Sequence, residues 1–166
     1  MTGGNGFSPR SDRHLSFRTG TRACRRGGPS SMRGQMHLLD TSICVEILRG
    51  RSPQLPQRFR SAMRSGVAAS CITAAELFYG VAKSPRPDRE RANVSNLLGS
   101  LSILSFDSKA AEGFGVLRAY LERRGEVMGQ FDLLIAAHAL AEDATLVTRN
   151  VREFSRVPTL RVESWI

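Results

Sequence analysis

The 166-residue sequence predicts an α/β domain built on a mostly parallel sheet and preceded by a basic arm. Two observations lead there. Short, continuously apolar runs such as 36–39, 67–72 and 145–148 alternate with longer segments whose apolar residues recur every three or four positions. Strands buried on both faces read as unbroken apolar runs, and helix crossovers between them make the sheet parallel. The second observation is a compositional break near Met36. Residues 1–35 carry seven arginines against one acid, Asp12, a net +6, and hold 7 of the 15 glycines. Residues 36–166 hold the other 17 basic and 14 acidic residues, a net +3. The arm has too little apolar surface to offset its ordering entropy, so it is expected to be disordered. Three origins for it stay open: an RNA-binding tail, an organellar transit peptide, or an extension outside the native protein. It has no apolar run of 7–15 residues, so it is not a secretory signal.

The elements follow in order along residues 36–166. Met36 to Leu39 form a strand closed by Asp40, and Ile43, Ile47 and Leu48 then mark a helix stopped at Gly50. Pro53 and Pro56 open a second helix through Phe59 and Met63, ending at Gly66. Val67 to Ile72 reads as a strand. Thr73 then opens a helix through Leu77 and Val81 that stops near Ser84-Pro85. Residues 88–99 are helical and Leu101 to Phe106 a strand. Asp107 caps a helix with Ala110, Phe114, Leu117 and Leu121 on one face. Residues 131–142 form an apolar helix, Thr145 to Thr148 a strand, and Arg161 to Trp165 the last strand.

The formal charge of +9 suggests an anionic partner, nucleic acid first. No run of 18 apolar residues occurs, so no membrane-spanning helix is expected. Cys24, Cys44 and Cys71 are odd in number and lack zinc spacing; Cys44 and Cys71 sit in apolar segments and read as buried thiols of a reducing, cytoplasmic compartment. The sequence has no GxSxG, no P-loop and no GxGxxG, which removes support for acyl transfer and for nucleotide-cofactor chemistry. Asp40-Thr41-Ser42 lacks the second aspartate of an aspartyl-phosphate enzyme. His14, His37 and His138 form no constellation, and His138 reads as a packed core or interface residue.

In open parallel sheets, functional side chains gather where strands end and helices begin. Asp40, Glu76, Asp132 and Asn150 all occupy such places. Three carboxylates in one cleft need a compensating cation, and an all-oxygen set suits Mg²⁺ or Mn²⁺. Each acid also has a purely structural explanation. Thr73-x-x-Glu76 and Asn150-x-x-Glu153 have capping-box spacing, and Asp132 suits a helix N-terminus. Asp40 is hardest to explain as a cap, because Thr41 or Ser42 could serve.

Three ordered stretches decide between these readings. Leu38-Leu39-Asp40-Thr41-Ser42, Thr73-Ala74-Ala75-Glu76-Leu77-Phe78-Tyr79-Gly80 and Phe131-Asp132-Leu133-Leu134-Ile135-Ala136-Ala137-His138-Ala139 resemble PIN-domain ribonucleases, and more closely the VapC toxins of type II toxin–antitoxin pairs. Leu146-Val147-Thr148-Arg149-Asn150-Val151-Arg152-Glu153-Phe154 and Val162-Glu163-Ser164-Trp165 match the same group, so the resemblance covers about residues 36–166. It implies a PIN-like three-layer α/β/α sandwich with a central mostly parallel sheet. It also implies an Mg²⁺- or Mn²⁺-dependent endoribonuclease leaving 5′-phosphate and 3′-hydroxyl ends, neutralised by a VapB-like antitoxin and assembled as a homodimer. By position, Asp40, Glu76 and Asp132 become the catalytic and metal-binding acids. The family's fourth acid falls at Asn150, which supplies no charge. Ser42 and Thr148 are supporting hydroxyls. RNA is the implied substrate, with tRNA loops the leading form; Arg49, Arg51, Arg58, Arg60 and Arg64 offer either an RNA track or a solvated helix face. Phe59, Leu77, Phe78 and Tyr79 offer either an antitoxin groove or core. The competing class of function is a non-catalytic PIN-like domain that binds RNA or a partner.

Overall fold

The computed structural model describes residues 36–166, and the expectation for residues 1–35 lies outside the described residues. Five strands form one sheet of order β3-β2-β1-β4-β5, every neighbouring pair parallel. They are β1 (His37–Leu39), β2 (Val67–Ser70), β3 (Ser102–Leu104), β4 (Thr145–Val147) and β5 (Arg161–Glu163). The helices are α1 (Thr41–Arg49), α2 (Leu55–Ala62), α3 (Cys71–Ala82), α4 (Pro87–Gly99), α5 (Ser108–Arg123), α6 (Gln130–Ala141) and α7 (Val151–Phe154).

The apolar strand runs arise because each face of the sheet meets a helical layer. Side chains alternate across a strand, so Leu38, Ala68 and Leu146, aligned in register, point into one core with Leu117, Leu121, Ile135 and Phe154. Leu39, Ala69 and Val147 point the other way, against Ile43, Cys44, Leu77, Val81 and Leu97. Fully burying one such leucine or isoleucine contributes about 1.5–3 kcal/mol. The flanking strands β3 and β5 cover only part of this core and stay largely exposed. Trp165 closes the α1–α4 layer, its ring centroid 5.5 Å from that of His37.

Most expected elements are present with shifted ends. The helix expected to open at Thr73 begins at Cys71. Ser70, last in β2, caps it by accepting a hydrogen bond from the Ile72 N–H at 3.0 Å. Thr73 is thus inside the helix, and its hydroxyl reaches the Leu39 carbonyl at 3.4 Å. The Thr73-x-x-Glu76 capping box is therefore absent, which frees Glu76 from a capping role. Asp107 caps α5 as expected, accepting from the Ala110 N–H at 2.9 Å. The strands at 101–106 and 161–165 are shorter than expected, and α7 was not anticipated. Gly50 ends α1 at φ +62°, its N–H reaching the carbonyls of Glu46 and Ile47, a left-handed cap that side chains with a Cβ resist. Cys44 is buried, its thiol pushed up to about 12 by burial and then by Asp40, whereas Cys71 is only partly covered. No helix among the described residues is long and apolar enough to cross a membrane.

Candidate active site

Asp40 follows the central strand β1 and is 3% exposed. Its backbone N–H donates to the Val147 carbonyl at 2.9 Å, and its own carbonyl accepts from Ile43 and Cys44 at 3.1 Å. It occupies the cap position of α1, yet its side chain makes no capping bond. The carboxylate is free for other contacts. Oδ2 accepts from the Ser42 hydroxyl at 2.6 Å and from the Thr148 hydroxyl at 2.7 Å. Thr148 is there because β1 and β4 are neighbours with Leu39 opposite Val147, which sets the two following residues side by side. Thr148 Oγ1 also accepts from the Asn150 N–H at 2.9 Å, and Ser42 Oγ from the Arg149 N–H at 3.1 Å. The two loops are thus laced together around one carboxylate oxygen.

Glu76 comes from the other side of β1. It lies on α3 after β2, and its Oε2 accepts from the Thr41 hydroxyl at 2.5 Å. Asp132 arrives from the opposite helical layer, in the first turn of α6. It is half-buried, with no hydrogen-bond donor among the described residues. Its carboxyl is raised from 3.8 to about 6, first by burial and then by the negative charges of Asp40, Glu76 and Glu153. Those causes show that the three predicted acids share one electrostatic neighbourhood. Gly129 keeps that space open: a Cβ there would stand 3.2 Å from Asp132 Oδ2.

Glu153 is the acid that sequence reasoning passed over. The family pattern placed a fourth acid at Asn150, and Asn150-x-x-Glu153 has cap spacing. The structure leaves the Asn150 side chain out of capping α7 and puts it in an open cleft of about 660 Å³ with Asp132, Arg149, Arg152, Glu153 and Arg156. The signal that could have found Glu153 is the short turn after β4. A helix starting at once carries the residue three positions on back towards the preceding strand end.

The other predictions divide. His138 is fully buried and away from the acids, its Nδ1 2.8 Å from Ser70 Oγ, as a core histidine should be. Arg49 and Arg51 line a second cleft of about 610 Å³ beside Thr41 and Glu76, whereas Arg60 faces a separate pocket between α1 and α2. Leu77 is core and Phe59 packs against the core, while Phe78 and Tyr79 are exposed.

No cluster of three acid, histidine or cysteine ligands among the described residues is arranged to hold an ion by itself. The donor set nonetheless fits a hard cation that keeps several waters and takes one or two carboxylates, as Mg²⁺ does. All the candidate ligands are oxygens, their charges repel one another, and the field on Asp132 is one that a cation would relieve.

A parallel sheet brings acids from three strand–helix junctions into one electrostatic neighbourhood, and the comparisons give this arrangement its family. The PIN domain pattern matches residues 37–160, and the chain belongs to that family. Within it, the chain groups with the VapC ribonucleases. It is 40% identical over 131 residues to "Ribonuclease VapC2" of Rickettsia felis, covering 78% of this chain and 98% of that protein. It is 38% identical over 128 residues to "tRNA(fMet)-specific endonuclease VapC" of Salmonella typhimurium, covering 77% and 96%. Among solved structures, VapBC2 of Rickettsia felis bound to a promoter DNA fragment superposes with a TM-score of 0.76 at 38% identity, covering 79% of this chain and 99% of that one.

Proposed function

We propose that this protein is an endoribonuclease of the VapC type, hydrolysing RNA phosphodiester bonds with Mg²⁺ or Mn²⁺ and restrained by a VapB-like antitoxin. The observation that carries the proposal is the gathering of Asp40, Glu76 and Asp132 from three junctions, with Asp132 raised to about 6 first by burial and then by the charges of its neighbours. The printed names of the relatives support an RNA substrate, tRNA first, and their solved complexes support the antitoxin. Assembly as a homodimer belongs to the same proposal. Three acids brought from three junctions into one field, with Asp132 receiving no hydrogen bond among the described residues, favour catalysis over a purely binding domain.

Asp40 and Asp132 would hold the cation, with Glu76 direct or through water. Such a cation acidifies water and offsets charge on a phosphoryl oxygen, the chemistry a phosphodiester hydrolysis needs. The chain's own residues prepare the geometry. Ser42 and Thr148 both donate to Oδ2 of Asp40, which fixes the carboxylate's orientation and leaves its other oxygen for the cation. Thr41 fixes Glu76. In-line attack by water with the 3′ oxygen as leaving group gives 5′-phosphate and 3′-hydroxyl ends. The test is cleavage of tRNA by the full chain with Mg²⁺ or Mn²⁺, abolished by EDTA and by Asp40→Asn. RNA cut at equal rate by folded Asp40→Asn protein overturns the reading.

A further inference from the structure

The clefts on the two sides of the acids have similar volumes and different linings. The one beside Glu76 mixes aliphatic side chains such as Val45, Leu48 and Leu77 with Arg49, Arg51, Arg86 and Arg89. The one beside Asp132 is lined by Asp132, Arg149, Asn150, Arg152, Glu153 and Arg156, with no apolar side chain at all. The proposed reaction does not by itself require three guanidinium groups there.

Their pairing distinguishes them. Arg149 is fixed at both ends: its N–H donates to Ser42 Oγ, and its guanidinium donates to Glu46 Oε1 at 2.7 Å, a buried glutamate outside the cleft lining. Arg156 is bonded to the Glu153 carboxylate and to the Val127 carbonyl, the latter at 3.0 Å. Arg152 has no acidic partner among the described residues and is exposed. Some surface arginines elsewhere find partners, as Arg118 does with Glu122 at 2.8 Å, while Arg58, Arg64 and Arg123 have no acidic partner among the described residues; what sets Arg152 apart is that it lines the cleft of Asp132. Arg152 stands next in sequence to Glu153, but Glu153 is engaged by Arg156, so the cleft contains one uncompensated cation beside carboxylates that repel a polyanion.

We propose that this polar cleft seats the RNA backbone next to the scissile bond, and that Arg152 is the positioning residue that holds a flanking phosphate. The inference rests on the ribonuclease reading. A cleft of cations and an amide suits phosphate oxygens, which carry no sequence information. A peptide would bury no apolar surface there, and no aromatic ring lines it to stack a base. Arg149 and Arg156, already anchored, shape the walls, and Arg152 is free to close on the anion. The contact is therefore blind to sequence and strengthens binding of every RNA alike.

The test uses the full chain with Arg152→Ala, Arg152→Lys and Arg152→Glu on a single-stranded RNA oligonucleotide. Cleavage is followed with Mn²⁺, and binding is measured in an Asp40→Asn background. Arg152→Ala should raise KM about tenfold with kcat at saturation unchanged, and make the plot of log affinity against log salt shallower by about 1. Arg152→Lys should restore most of the affinity, and Arg152→Glu should be worse than Ala. Circular dichroism should show all three folded, since Arg152 is exposed. Wild-type KM and salt slope in Arg152→Ala, with wild-type cleavage intact, overturn this inference and leave the ribonuclease reading standing. If the chain does not cut RNA yet binds it with an Arg152-dependent salt slope, the cleft stands and hydrolysis falls. If it neither cuts nor binds, both fall. Altered kcat with unchanged KM would make Arg152 part of the chemical step and also overturn the positioning role.

Discussion

Asp40 and Asp132 share one electrostatic neighbourhood under opposite conditions. Asp40 is buried at a strand end and receives two hydroxyl donors within 2.7 Å. Asp132 has no donor among the described residues and sits in the field of three other acids. One carboxylate is built into the fold; the other is held there at a cost. The difference teaches that the centre is half preorganised. The β1–β4 side is complete in the folded chain, while on the α6 side Asp132 has no hydrogen-bond donor among the described residues.

The largest effect that can test this comparison is removal of either charge. Asp40→Asn and Asp132→Asn should each lower RNA cleavage by about 10²–10⁴-fold in proteins that still show native circular dichroism. Retention of most activity by one of them would reassign its role. Next comes the support of Asp40. Thr148→Val removes a buried charge-assisted bond and leaves the Asn150 N–H without its acceptor. It should cost about 1–3 kcal/mol in denaturant unfolding and about 10–100-fold in cleavage. Unchanged stability would show that the hydroxyl cluster is not what holds Asp40.

The Asp132 side should behave in the opposite sense. In metal-free protein its folded carboxyl titrates near 6, above the 3.8 of an unperturbed aspartate. Between those values the folded chain binds the proton that the unfolded chain releases, so stability falls as pH rises through this window. The penalty is complete above about pH 6 and absent below about 4. Asp132→Asn should therefore stabilise the protein at pH 7.5 by about 1 kcal/mol after discounting for the half-exposed position, read as a higher Tm, and leave Tm unchanged at pH 4. A lower Tm at pH 7.5 contradicts the strain. Adding Mg²⁺ to wild-type protein at pH 7.5 should likewise raise Tm, reversibly with EDTA, and should do so less in Asp132→Asn. The smallest effect is that of Glu153→Gln. Removing one of the three charges acting on Asp132 should shift the low-pH limb of the cleavage profile to lower pH by less than one unit, which a pH–rate series would resolve.

The sheet and the three acids were legible in the sequence for a physical reason. A strand covered on both faces must be apolar throughout, so Leu38-Leu39 and Leu146-Val147 mark themselves, and a polar residue at their ends stands out. Asp40 could be recognised because it followed such a strand and had capping neighbours that made it unnecessary as a cap. Glu76 and Asp132 could not be separated from caps by spacing, and it was their resemblance to the PIN ribonuclease stretches that singled them out. The capping box at Thr73 misled because the same residue types serve both purposes. The helix actually starts two residues earlier, where Ser70 ends a buried strand and offers its hydroxyl to Ile72.

The amino-acid sequence alone determined the elements, the two-sided core and the junctions at which Asp40, Glu76 and Asp132 fall, because periodicity and burial are local properties of the chain. Only the tertiary structure decided how those junctions combine. Pairing of β1 with β4 brings Thr148 to Asp40 across 108 residues of sequence. The turn into α7 brings Glu153 into the field of Asp132. The pairing of Arg156 with Glu153, and of Arg149 with Glu46, leaves Arg152 as the cleft's arginine without an acidic partner among the described residues. Such pairings depend on distances between segments far apart in the chain, and no local pattern encodes them.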